Sequence, residues 1–185
     1  MLVLPSFPAP CTAAAAYPVP VTRDLQLRPC SQPDLPFLRL LYGELRASEL
    51  DQTGWPIEAR AAFLDSQFSL QHRHFISYYA AADFWMVEHH GTAIGRYYLL
   101  RDPDHFLVVD IAVLPHWRGR GIGSTLLTWA QAQATGAGAH GIDLHVEVGN
   151  VDAHRLYTRL GFIETAREVP YIRMHWPARV QLNTA

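Results

Sequence analysis

Apolar residues recur at two spacings along this chain, and the changes between them divide it into elements. Asp24-Leu-Gln-Leu-Arg28 alternates as a short strand does, and Pro29 ends it. Leu35, Leu38, Leu41 and Leu45 then follow helical spacing, behind a capping box formed by Ser31 and Asp34. Gly54-Trp55-Pro56 breaks that helix and starts a second, with a core stripe expected at Ile57, Ala61, Leu64 and Phe68. Gln67, Gln71 and His74 lie off that stripe. The period then becomes strand-like: Phe84–Glu88, Ala93–Leu100 and His105–Leu114 are joined by short turns at His90-Gly91-Thr92 and Asp102-Pro103-Asp104. They predict an antiparallel meander. Helical spacing returns from Gly121 to about Thr135, with a stripe at Ile122, Leu126, Ala130 and Ala134. A strand over Ile142–Val148 follows, then a short helix capped by Asn150, with Ala153, Leu156 and Leu160 inward. Two closing strands lie near Phe162–Glu168 and Tyr171–Trp176.

Hairpin-linked strands followed by a strand–helix–strand unit predict one α/β (α+β) domain with a mixed central sheet. The pattern gives about seven strands and four helices over residues 22–176. Residues 1–21, with Pro5, Pro8, Pro10, Pro18 and Pro20, read as a flexible N-terminal extension, and 177–185 as a C-terminal tail. The start has no early Lys or Arg and makes a poor signal peptide. No apolar run approaches the length of a membrane helix.

Composition narrows the functional classes. Hydrophobic residues make up 49% and charged residues 17%, values of a globular protein, and the net charge is −2 with no basic run. Nucleic-acid and membrane partners are therefore not expected. Cys11 and Cys30 form neither a zinc pattern nor a disulfide framework, which fits a reducing, cytoplasmic setting. His72, His74, His89 and His90 have no Cys or carboxylate at ligand spacing, so they read as solvated and no metal is expected.

Most of the chemistry is concentrated in Val109–Gly123. A strand breaks at Pro115, and Arg118-Gly-Arg-Gly-Ile-Gly123 leads into a helix. Glycines at 119, 121 and 123 keep side chains out of the approach, and a helix N-terminus favours an anion, so the stretch reads as a pyrophosphate site. A P-loop would need Lys before Ser124, and none is present. A dinucleotide fingerprint would put its glycines at the strand end; Asp143 lies at a suitable distance, but residues 115–118 intervene.

Arg118–Gly123 resembles the Arg/Gln-x-x-Gly-x-Gly/Ala signature of the GNAT superfamily of acyl-CoA-dependent N-acetyltransferases. Asp110-Ile-Ala-Val-Leu-Pro115 resembles that family's fourth strand, Asn150–Phe162 its Asn-x-x-Ala-x-x-Leu-Tyr-x-x-x-Gly-Phe block, and Tyr171–Trp176 its closing strand. The resemblance covers about residues 22–176. It implies a GNAT-like sheet of about six to seven strands flanked by about four helices, splayed between strands 4 and 5. It also implies acetyl-CoA as co-substrate, with no metal.

On this resemblance, the cofactor-binding residues are Ile111, Ala112 and Val113, whose backbone would pair with the pantetheine arm. Arg118, Gly119, Arg120, Gly121, Ile122, Gly123 and Ser124 would hold the pyrophosphate, with Asn150 and Tyr157 contributing. Tyr157 matches the family's acid and would protonate the departing thiolate. The candidate bases for the acceptor amine are Glu147, His145 and Asp110. His145 and Glu147 share one strand face. The implied reaction moves acetyl from acetyl-CoA directly to a primary amine, on a small molecule or a peptide, by a monomer or homodimer. A non-catalytic acyl-CoA-binding regulatory module on the same fold is the alternative.

Overall fold

A computed structural model describes residues 4–9 and 19–178. Eight strands and four helices follow in chain order: β1 (Val19–Pro20), β2 (Leu25–Pro29), α1 (Leu35–Asp51), α2 (Ile57–Tyr78), β3 (Asp83–His89), β4 (Thr92–Arg101), β5 (His105–Val113), α3 (Ile122–Ala137), β6 (Gly141–Glu147), α4 (Val151–Arg159), β7 (Ile163–Glu168) and β8 (Tyr171–Pro177). The strands form one mixed sheet in the order β1-β2-β3-β4-β5-β6-β8-β7. The eighth strand is β1, two residues paired antiparallel with β2 inside the stretch expected to be an extension. Two residues are too short for a period to be read from sequence.

The chain folds as two compact units. One holds the residues up to Tyr97 together with Ile111–Arg118; the other holds Tyr98–Asp110 and the chain from Gly119 onward. In the first unit β2 and β3 pair antiparallel over their length. Leu27, Met86, Val87 and Ile94 are wholly buried, as are Leu38 and Leu41 of α1. The α1 stripe is buried at Leu38 and Leu41 and half-buried at Leu35 and Leu45, and the α2 stripe forms still less completely. Ile57 is 80% exposed, and the buried residues of α2 are Phe68 and His72.

His72 is therefore not solvated. Its Nε2–H donates to the Pro5 carbonyl at 2.8 Å, and its ring meets Phe7 edge-on at 4.9 Å. Burial holds its pKa below the ordinary imidazole value. His74 and His90 are exposed, as expected, while His89 is half-buried against Trp117 at 4.8 Å. Cys30 is buried, and Cys11 lies outside the described residues.

A charged network closes the same unit. The Arg28 guanidinium donates to both Asp34 oxygens, at 2.7 and 2.8 Å, and its Nε to Glu88 at 2.6 Å. Asp34 also accepts from the Ser31 N–H and hydroxyl, completing the expected capping box. Burial opposes ionisation of Asp34, but the bonds from Arg28 and Ser31 outweigh it and hold the carboxyl below its usual range.

In the second unit α3 presents the expected stripe, Ile122, Leu126, Ala130 and Ala134, with Leu127 added. β6 buries Ile142, Leu144 and Val146, and α4 buries Tyr157. β5 and β6 are parallel, and their pairing runs only from His105↔Gly141 to Val108↔Leu144. Beyond that register β6 stays paired with β8 to Glu147↔Tyr171. The expected splay thus opens after Val108, where Val109 and Asp110 continue β5 and His145 to Glu147 continue β6.

Candidate functional site

The glycines of the signature do two different jobs. Gly119 and Gly121 have φ of 74° and 79°, and a Cβ on either would meet nothing within 4 Å. They are glycine for the left-handed backbone. Gly123 is helical, and a Cβ there would stand 3.1 Å from Leu156 Cδ2, so it is glycine for the packing of α3 on α4. Gly123 thus has a packing reason in addition to the open approach expected of the three glycines. Gly121 is the N-cap of α3, and the first helical bond runs from Thr125 N–H to the Gly121 carbonyl at 2.9 Å. The N–H groups of Ile122, Gly123 and Ser124 precede it and lack intrahelical acceptors. An anion is favoured there by these donors and by the helix dipole.

Ahead of this, in the first unit, Pro115–Trp117 forms one 3₁₀ turn, closed by Arg118 N–H donating to the Pro115 carbonyl at 3.0 Å. Arg118 is exposed, as is Arg120 in the following unit. Ile111, Ala112 and Val113 end β5 half-buried. A Cβ on Gly95 would run into the Ala112 carbonyl oxygen and lie 2.9 Å from Val113 Cγ1, so only glycine lets β4 come this close. Sequence reading passed over Gly95; a glycine inside a long strand pattern is its one trace.

The four candidate catalytic residues belong to one unit but fall on two faces. Val108 and Leu144 are register partners and both are buried, so they share a face. Asp110, two residues past Val108, lies on that same face. It is there that Tyr157 of α4 sits, 7% exposed, its ring 5.9 Å from Phe162. Burial first, then the negative charge of Asp110, pushes the Tyr157 phenol well above its ordinary value. His145 and Glu147 alternate with buried Leu144 and Val146 and lie exposed on the opposite face. The structure thus joins Asp110 to Tyr157 and His145 to Glu147. Asn150 caps α4, its side-chain oxygen accepting from Ala153 N–H at 3.2 Å. Ser124 is half-buried in the first turn of α3.

The sequence profile of the acetyltransferase (GNAT) family matches residues 45–162. The chain belongs to this family. The GNAT match takes in the splayed strands, the glycine loop and α4 together. Two curated relatives align with it. The aminoalkylphosphonate N-acetyltransferase of Salmonella typhimurium is 38% identical over 74 residues, 40% of this chain and 41% of that one. The mycothiol acetyltransferase of Frankia casuarinae is 28% identical over 145 residues, 68% of this chain and 41% of that one. In both cases the match spans only about two fifths of the relative's length. Among solved structures, the PaiA N-acetyltransferase from Thermoplasma acidophilum in complex with coenzyme A has the same fold, with a TM-score of 0.64. It is 18% identical, and the alignment covers 83% of this chain and 98% of that one. Among the described residues no helix is long and apolar enough to cross a membrane, and no group of three or more His, Cys, Asp or Glu could hold a metal ion.

Proposed function

We propose that this GNAT protein transfers the acetyl group of acetyl-CoA to a primary amine. The observation that carries the reading is Tyr157 held buried beside Asp110, where β5 parts from β6. A phenol buried next to a carboxylate stays protonated at neutral pH, which is the state a general acid needs. Asp110, expected as one of three bases, lies on the Tyr157 face, away from Glu147 and His145, where its charge adds to burial in raising the phenol's pKa.

The N–H groups of Ile122, Gly123 and Ser124 and the loop Arg118–Gly121 fit a pyrophosphate, and the exposed Arg118 and Arg120 add positive charge to it. The backbone of Ile111, Ala112 and Val113 would pair with the pantetheine arm as an added strand does. A backbone N–H near Ile111 would polarise the thioester carbonyl. The amine approaches from the open face. Glu147 or His145 takes a proton from the ammonium, the freed nitrogen attacks the carbonyl carbon, and the carbon–sulfur bond breaks. Tyr157 gives its proton to the departing sulfur, and the second proton that the nitrogen sheds as the amide forms returns the phenolate to the phenol. The products are an N-acetyl amine and the free thiol, with the ammonium proton left on the base.

The test is thiol release from acetyl-CoA over a panel of primary amines. With Tyr157→Phe, kcat is expected to fall by about 10²- to 10³-fold, the range of a lost general acid, while acetyl-CoA affinity changes less than about threefold. Tight acetyl-CoA binding with no turnover on any amine would instead identify a regulatory module.

A further inference from the structure

The open face of β6 and β8 carries more charge than the transfer itself uses. Asp143, His145 and Glu147 alternate with buried residues along β6. β8 answers in register, with His175 opposite Asp143, Arg173 opposite His145 and Tyr171 opposite Glu147. At the end of this ladder remote from Glu147, the side chains of His105, Asp143, Thr165, Arg173 and His175 help line an open cavity of about 340 Å³.

The charges in that cavity are arranged. Asp143 accepts from His175 Nδ1–H at 2.9 Å through one oxygen and from the Arg173 guanidinium at 3.3 Å through the other. Its negative charge is thereby matched by the Arg173 guanidinium, and it orients both basic groups. A guanidinium has five N–H donors, and among the described residues Arg173 directs its own to Asp143 alone. Its side chain is 54% exposed. His175 keeps Nε2 for another partner, and the His105 ring stands 5.7 Å from the His175 ring. The seat of His175 is built by a glycine: a Cβ on Gly141 would run into the Trp176 carbonyl oxygen and stand 2.5 Å from His175 Cε1.

We infer that this cavity takes a terminal anion of the acceptor, a carboxylate or a phosphonate, held by Arg173 with His175 and His105, while the acceptor's amine lies at Glu147. The inference rests on the acetyltransferase reading and adds a substrate class to it. Residues 143 and 147 are separated by about 13 Å along the strand, and the diagonal from 147 to 173 on the neighbouring strand is about 8 Å. An extended chain advances about 3.5 Å for every three bonds, so the amine and the anion are about seven to eleven bonds apart. The acceptor is a linear amine with an acid at its far end. Arg is suited to either acid because its fork matches two oxygens at once.

The experiment measures kcat/KM for thiol release with wild-type protein on three homologous series: ω-amino carboxylates, ω-amino phosphonates and uncharged n-alkylamines. At matched lengths near the predicted span, at least one acidic series should exceed the alkylamines by about 10- to 100-fold, the range of a charge-assisted hydrogen bond. The advantage should fade in shorter chains, and the preferred acid identifies the anion. Arg173→Ala should reduce the acid-to-alkyl ratio to near one, and Arg173→Lys should restore part of it. Turnover of alkylamines with no acidic advantage, or an advantage independent of length, overturns this inference and leaves the acetyltransferase reading intact. No turnover on any series overturns both.

Discussion

Two clusters in this protein use the same ingredients, an arginine and a carboxylate on neighbouring strands or turns, and reach opposite outcomes. Arg28, Asp34 and Glu88 are knitted shut. Both carboxylate side chains are 10% exposed, and both oxygens of each accept: Arg28 and Ser31 serve Asp34, while Arg28 and Gln26 serve Glu88. Arg173, Asp143 and His175 are left open, with exposures of 54%, 19% and 22%, and with a guanidinium that donates once, at 3.3 Å. An ion pair buried and completely hydrogen-bonded has nothing left for a ligand, and its loss is felt by the fold. A half-satisfied pair at a cavity holds little of the fold and keeps donors for something else. Burial and the number of bonds already made, rather than residue type, separate the structural cluster from the binding one.

The sharpest way to break this comparison is to remove one carboxylate from the closed cluster. Asp34→Asn leaves the half-buried Arg28 guanidinium, 32% exposed, with one anion in place of two. It is expected to lower unfolding stability by about 3 kcal/mol, the lower end for breaking a buried pair, because Glu88 remains. In a chain of this size that corresponds to a fall in Tm of about 6–12 °C. Urea unfolding measures it, and a loss below about 1 kcal/mol would mean that the network is not what closes this unit.

A smaller effect follows from protonation. The Asp34 carboxyl is held below its usual range in the folded protein, so its contribution is fully present above the unfolded value of about 3.9. It is lost as pH falls through the lower folded value. The stability gap between wild type and Asp34→Asn should therefore be constant from pH 7 to about pH 5 and shrink below about pH 4. A gap that narrowed already near pH 6 would point to a different titrating group.

The sequence made one of these clusters half legible and the other not at all. Ser31 and Asp34 could be read as a cap because three residues separate them, but Glu88 joins them from a strand far along the chain. Local pattern served best where one element buries one stripe: α3 buries the four expected positions, whereas α4 forms where expected but buries Tyr157 and leaves Ala153, Leu156 and Leu160 half-buried. It served worst on α2, where His72 takes a core position because Pro5 satisfies its Nε2–H, a partner that helical spacing cannot announce. The GNAT signature located the loop, the splayed strands and Tyr157. It left open which candidates meet, since the face on which Asp110 lies is set by the register of β5 with β6. The packing role of Gly123 is invisible to local pattern because its contact, Leu156, belongs to another helix. Arg173 and His175 carry no motif, and only the β6–β8 register brings them to Asp143.

Asp143→Asn removes the carboxylate from the open cluster and leaves Arg173 without its counter-charge. Because the pair is partly exposed and makes one short and one long bond, stability should change by no more than about 1 kcal/mol. The result is informative only beside Asp34→Asn, in the same urea titration. A roughly threefold difference between the two variants upholds the distinction between a cluster that closes a unit and one that faces a ligand. If Asp143→Asn cost as much as Asp34→Asn, the β6–β8 ladder would be holding the sheet together, and Arg173 would not be free to turn toward an acceptor's anion.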